Sequence, residues 1–349
     1  MERPSGTFNE DYRQDMAIVR TPLQWGLFAA AIIFLITIPL FFSYRWLSFM
    51  NIMLITLISV VGLNVVTGYC GQISLGQAAF MAMGAYISAF CSTRFGWSFW
   101  AVLPIGGLAA ALTGLIFGLP SLRVKGFYLV IATVAAQFII IYLLSHLPWF
   151  SGSTGMTVSA PQLGSIDFAS RQNYYYINLG VAGIMLFLAK NLARSDIGRA
   201  FIAIRDNDLA AEVLGIDTFR YKLLAFVISA FYAGIAGCLL GFYTRYIQFE
   251  QYSLMDSIWQ LGMLIVGGMG SSMGAIFGTL FIKLLDEGAA TLSPTLANIF
   301  PQISSGIWAG LSPMVYGAII IAFLVLEPRG INHRWLIFKA SYRLWPFSY

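Results

Sequence analysis

Long apolar stretches alternate with short polar ones along almost the whole chain. The runs Gln24–Tyr44, Leu47–Thr67, Ile73–Phe90, Phe99–Leu119, Gly126–Ser145, Tyr174–Ala189, Leu223–Phe242, Ser257–Ile282 and Leu311–Leu326 contain no Lys, Arg, Asp or Glu. A helix crosses the hydrocarbon core of a bilayer with about 20 mostly apolar residues. The pattern therefore predicts an all-α fold, a polytopic transmembrane helical bundle of about nine or ten spans. The stretch from Leu284 to Gly310 is more polar and carries Pro294 and Pro301, so it is either a further, broken crossing or a surface excursion. The predicted organisation is a polar N-terminal segment over 1–23, a single transmembrane domain over 24–327 with a large loop at 190–222, and a basic-aromatic tail over 328–349. The run from Gln24 is too long for a signal-peptide core and no small-residue cleavage site follows it, so it reads as a retained anchor.

Composition agrees: 58% of residues are apolar and 10% charged, against roughly 45–50% and about 25% in soluble domains. The net charge of +5 does not point to nucleic acid, because the basic residues are scattered among short loops, where they set orientation. Lys190, Arg194, Arg199, Arg205, Arg220 and Lys222 make one loop cytoplasmic, with the Arg123/Lys125 turn and both termini on the same side. Alternation then puts His146–Asn173 and Thr244–Asp256 outside, and the first of these loops, with Trp149 and Gly152–Gly155, is the place where an external partner would touch. Cys70, Cys91 and Cys238 are far apart in apolar surroundings and read as small core residues, and His146 and His333 are too few for a histidine-rich metal centre.

Two glycine-rich segments interrupt the spans. In Gly68–Phe80, glycines and the amides of Gln72 and Gln77 are costly at membrane depth unless they face protein or a water-lined path. On a continuous helix Asn64, Thr67, Gly71, Ser74 and Ala78 would share one small, uncharged face, suited to a neutral or zwitterionic solute. The alternative is plain helix packing, with the glutamines bridging neighbours. In the second segment Gly270, Gly274 and Gly278 form a ridge for helix contact, while Gly267, Gly268 and Gly270 could break the helix and present half-helix ends to a solute. A solute carboxylate could meet helix N-termini at a break near Gly71 or Gly267.

In the cytoplasmic loop, Asp206 or Asn207 can cap a new helix, Asp208 favours its first turn and Gly215 suits its stop. That predicts a helix of about eight residues whose Leu209, Val213 and Ile216 expose an apolar edge in need of a partner. In the tail, Trp335, Phe338, Tyr342 and Trp345 fall on one helical face beside Arg334, Lys339 and Arg343, which suits the headgroup region. The runs hold no carboxylate to bind a coupling ion, and there is no GxxxxGK[ST] phosphate loop, GxSxG elbow or HExxH motif. Power for any transport is thus expected from another polypeptide. An ATP-independent carrier and a membrane-embedded enzyme are the competing classes.

The ordered motifs at 68–80 (GYCGQISLGQAAF), 122–133 (LRVKGFYLVIAT), 199–216 (RAFIAIRDNDLAAEVLGI), 264–275 (LIVGGMGSSMGA) and 312–322 (SPMVYGAIIIA) resemble the LivM-type permeases of branched-chain amino acid ABC importers. The resemblance runs from about residue 45 to 330; related permeases for urea, amides or aromatic acids share these motifs. It implies a permease subunit in the bacterial inner membrane, paired with a LivH-type permease, driven by two cytoplasmic ATPase subunits and supplied by a periplasmic binding protein. No cofactor would belong to this chain, since ATP and Mg would bind the ATPases. The resemblance makes Arg205, Asp206, Asn207, Asp208, Ala210, Ala211 and Gly215 the ATPase-coupling element. The candidate path is Asn64, Thr67, Gly71, Gln72, Ser74, Gln77, Gly267, Gly268 and Gly270. Many importer permeases carry Glu-Ala-Ala-x-x-x-Gly here; Ala210, Ala211 and Gly215 fit it, and Leu209 stands where the Glu would be.

Overall fold

The computed structural model describes residues 22–121, 126–150, 155–163, 166–168, 170–299, 317–323, 325–327, 329–344 and position 314. The N-terminal 1–21, the Arg123/Lys125 turn, Gly152–Thr154, most of 300–316 and Trp345 lie outside them, and with these Ser312, Pro313, Val315 and Tyr316 of the 312–322 motif. Contacts divide the chain after Ser48 into two compact units. The first holds α1 (Pro22–Phe41), with Pro39 inside its last turn.

From Tyr44 the chain is helical almost throughout. The helices are α2 (Tyr44–Leu63), α3 (Gln77–Phe95), α4 (Phe99–Ser121), α5 (Phe127–His146), α6 (Arg171–Arg194), α7 (Asp196–Asp206), α8 (Asp208–Val213), α9 (Thr218–Thr244), α10 (Leu254–Gly267), α11 (Ser272–Ile299) and α12 (Gly330–Leu344). Among the described residues, five helices are long and apolar enough to cross a membrane: Tyr44–Tyr69, Phe99–Pro120, Phe127–His146, Arg171–Arg194 and Thr218–Thr244. A sixth candidate is the bent pair Phe249–Gly267 with Ser272–Thr291. Of two short antiparallel pairs, β1 (Met156–Thr157) with β4 (Tyr246–Ile247) ties the loop after α5 to that after α9, and β2 (Gln162–Leu163) with β3 (Ile166–Asp167) lies within the loop after α5.

The core is the stack of α9 on α3 and α4. Water drives little of this inside a bilayer, so close backbone approach and hydrogen bonds must hold the helices. Glycines allow it: a Cβ at Gly84 would lie 2.3 Å from the Gly234 carbonyl, and one at Gly237 only 1.9 Å from that of Met81. Buried polar side chains add cross-links. The Tyr174 hydroxyl donates to the Leu239 carbonyl at 2.7 Å, that of Tyr232 to Met185 at 2.9 Å, and Asn178 Nδ2 to Asn51 Oδ1 at 2.7 Å.

Two expectations change. The segment Asn64–Ala78 is not one helix: α2 widens into a π-helical turn over Asn64–Tyr69, and α3 begins only at Gln77, so no common face exists. The run Ser257–Ile282 is two helices bent by 118°. The second of them continues through Lys283, Asp286 and Glu287 to Ile299, which makes the first half of the Leu284–Gly310 stretch helical.

Candidate functional site

Each glycine segment is a helix break. At the first, the widened turn buries Asn64, Thr67 and Gly68. The helix then ends, and Gly71 takes a φ of +72°, in the left-handed region that glycine tolerates. The turn closes on itself: Gln72 N–H donates to the Val66 carbonyl at 2.9 Å, and Thr67 Oγ1 to the Gln72 carbonyl at 3.1 Å. The Gln72 side chain reaches back to the Cys70 carbonyl. At the second break Gly268 and Gly270 take φ of +110° and +76°. Gly267 lies where a Cβ would meet the Gly274 carbonyl at 2.0 Å.

The two breaks touch. The Gly270 N–H donates to Asn64 Oδ1 at 2.9 Å, and the Tyr69 and Ser272 hydroxyls lie 3.1 Å apart. A Cβ on Gly68 would fall 2.5 Å from the Gly270 nitrogen. The start of α12 joins them, since a Cβ on Gly330 would be 2.5 Å from the Gly268 nitrogen. Further along α12, Trp335 and Phe338 stack and Trp335 meets Phe277 edge-on.

Arg205, at the end of α7, reaches this junction. Its Nη1 donates to the Gly68 carbonyl at 3.2 Å, while Nε and Nη2 donate to Asp206 at 3.0 and 2.9 Å. Its stem lies against Gly71, where a Cβ would stand 2.9 Å from Arg205 Cγ. Immediately after it comes α8. Asn207 caps that helix, its Oδ1 accepting from the N–H groups of Leu209 and Ala210 at 3.1 and 3.0 Å. Gly215 closes it at φ +87°. The helix is Asp208–Val213, shorter than its spacing predicts, with Ala211 buried beneath. Its exposed edge is Leu209, Val213 (88% exposed) and Leu214, because Ile216 folds half inward. Asp208 forms an ion pair at 3.3 Å with Lys222, which is buried at the start of α9.

The remaining path residues are tied inward. Gln77 donates to the Ser59 carbonyl at 3.0 Å and accepts from Ser229 at 3.1 Å. Ser74 Oγ accepts from the Gly76 N–H. The first amides of α3 are also taken: Ala78 N–H donates to Ser257 Oγ at 2.9 Å and Ala79 N–H to Gln137 Oε1 at 2.8 Å. A solute carboxylate would find those donors occupied. Ser59, Gln137, Ser229, Ser257 and Gln260 thus form a buried polar network. In the sequence, mostly apolar neighbours mask them, and a polar residue isolated in an apolar run is the signal that points to Ser59, Gln137, Ser229 and Gln260.

Such a bundle, with paired helix breaks meeting a short connecting helix, is that of a multi-pass membrane permease. Residues 45–324 match the family described as "Branched-chain amino acid transport system / permease component", and the chain belongs to that family. It is 28% identical to the high-affinity branched-chain amino acid transport system permease protein LivM of Escherichia coli K12, over 90% of this chain and 76% of that protein. It is 29% identical to LivM of Salmonella typhimurium, over 80% and 68%. A probable LivH permease of Methanocaldococcus jannaschii is 25% identical over 74% and 82%. No solved structure matches significantly.

Proposed function

We propose that this chain is one of two permeases lining the membrane passage of an ATP-driven importer for branched-chain amino acids. Its companion is a LivH-type permease. Two ATPase subunits dock from the cytoplasm and a periplasmic binding protein delivers solute at the loop after α5. The inner membrane is its place, with both termini and α8 cytoplasmic. ATP and Mg belong to the ATPases.

The observation that carries this reading is the position of Arg205. A short helix outside the span region, with an exposed apolar edge, needs a covering partner. Here that helix adjoins a guanidinium which grips the first helix break and abuts the second. Closure of the ATPases on α8 would move Arg205, and with it Gly68 and Gly270. The breaks are thereby the hinges of the passage, with Asn64, Thr67, Gly71, Gln72, Ser74, Gln77, Gly267, Gly268 and Gly270 around them. Arg205, Asp206, Asn207, Asp208, Ala210, Ala211 and Gly215 shape the knuckle that receives the force.

The test uses the complete importer in proteoliposomes. A cysteine at Val213 should cross-link to an ATPase subunit, and Leu209→Asp with Val213→Asp should abolish ATP-driven leucine uptake while the permease pair still assembles. Uptake at the wild-type rate in that double variant would remove α8 as the point of drive. Gradient-driven uptake without ATP would instead make the protein a carrier.

A further inference from the structure

An apolar helix has little use for a lysine and an aspartate. Yet α11 runs on beyond its hydrophobic stretch through Lys283 and Asp286, and ionisable groups on a spanning segment are costly unless they face the protein interior or an aqueous cavity. Both line a partly open cavity of about 290 Å³ bounded by α2, α3, α9, α10, α11 and the turn before α10. The lining combines two chemistries: Ile55, Met81 and Met263 are apolar, while Asp256, Lys283 and Asp286 bring charges of both signs. Lys283 is half-buried and pairs with no described carboxylate.

A further group in the lining is poorly matched. Gln260 is only 5% exposed, and its Oε1 accepts from Ser59 at 2.6 Å. Its Nε2, with two hydrogens to give, finds only the Met81 thioether at 3.3 Å, and a thioether is a weak acceptor. A buried amide donor in a cavity that also holds an ammonium with no partner among the described residues is a combination that an anionic oxygen would satisfy.

We propose that this cavity holds one aliphatic amino-acid zwitterion in passage. The carboxylate takes Lys283 and Gln260, the ammonium takes the field of Asp256 and Asp286, and the side chain packs on Ile55, Met81 and Met263. The volume lies at the small end of ligand pockets, which begin at about 300 Å³, and so admits a single small solute. Urea and short amides carry neither the two opposite charges nor the aliphatic body that this lining matches. The inference rests on the permease reading and adds to it a place in the bundle where the solute pauses.

The experiment follows labelled L-leucine uptake by the complete importer in proteoliposomes, normalised to assembled complex. Lys283→Gln should cut uptake at least tenfold, and Lys283→Arg should restore it to within threefold of wild type. Leucine uptake by Lys283→Gln within twofold of wild type overturns the cavity as a site. Should Lys283→Gln not assemble, Asp286→Asn decides the matter: a loss of at least fivefold supports the site, and a smaller loss overturns it. A wild-type importer that moves urea or a short amide and no aliphatic amino acid refutes the permease's solute reading instead; wild-type leucine uptake with indifferent variants removes the cavity alone.

Discussion

Arg205 and Gly68, 137 residues apart, are joined by a hydrogen bond of 3.2 Å from guanidinium to main-chain carbonyl. A guanidinium offers several donors in a fixed fork, so one side chain holds both Asp206 beside the α8 cap and the break in α2. Lysine gathers its donors on one compact nitrogen and lacks the spread fork that reaches both acceptors. Replacing Arg205 with Ala removes a charge-assisted bond worth about 1.5–3 kcal/mol, toward the lower figure because the side chain is 38% exposed. We expect Arg205→Lys and Arg205→Ala to lower ATP-driven uptake by at least tenfold while ATP hydrolysis by the assembled importer continues. Measuring both rates on one preparation checks it, and parallel loss of the two would place Arg205 in assembly.

The pair Asp208–Lys222 behaves differently. Lys222 is buried, its side chain 9% exposed, and Asp208 is its partner at 3.3 Å. Breaking a buried pair strands the remaining charge at a cost of about 3–5 kcal/mol, less here because the Asp208 side chain is 31% exposed. Asp208→Asn should therefore lower the unfolding midpoint of the purified assembly clearly, and Asp208→Asn with Lys222→Met should recover much of the loss. A double-mutant cycle separates this coupling from the two single effects.

What the sequence makes legible depends on the range of the interaction. The start and stop of α8 near Asn207 and Gly215 are legible because caps and left-handed stops are local chemistry, although the helix itself is only Asp208–Val213. The breaks at Gly71 and at Gly268 with Gly270 are visible as glycine clusters that interrupt or follow the apolar runs. What they touch is not: Asn64 with Gly270 and Arg205 with Gly68 are contacts between distant segments that no spacing encodes. The hydrophobic run closes at Ile282, yet helix α11 continues, since backbone hydrogen bonding does not stop at a charge. A regular helix would put Ile216 on the outer edge, and the turn at Gly215 rotates Leu214 out instead.

Packing at the bent pair gives a contrast within one helix. A Cβ on Gly278 would sit 1.8 Å from the Met263 carbonyl, whereas one on Gly288 meets nothing. Gly278→Ala must push α10 from α11 and should destabilise by about 1–3 kcal/mol, the usual cost of overpacking. Gly288→Ala should be neutral or stabilising by roughly 0.5–1 kcal/mol, since alanine loses less backbone freedom. Thermal midpoints of the two variants in detergent test the sign of each. Equal shifts would mean that the pair is not held by glycine contact.

Cys70 tests whether the first break moves as the proposed hinge. It follows the span that ends at Tyr69 and is fully buried at the first break. Burial pushes its thiol up to about 12, a rise only partly offset by the nearby Lys222 charge. The thiolate is the reactive form, so at pH 7–9 the closed break should resist maleimide labelling almost completely. If ATP-driven movement of Arg205 opens the break, Cys70 gains water and its pKa falls toward the usual value of about 8.5. Labelling should then rise at least tenfold with ATP and a non-hydrolysing ATPase variant, and increase from pH 7 to 9 in that state alone. The measurement needs Cys91 and Cys238 replaced by Ser, both being buried free thiols elsewhere in the bundle. Arg205→Ala should break the link, leaving labelling the same with and without ATP. Strong ATP-dependent labelling that survives Arg205→Ala would mean that the hinge opens by another route.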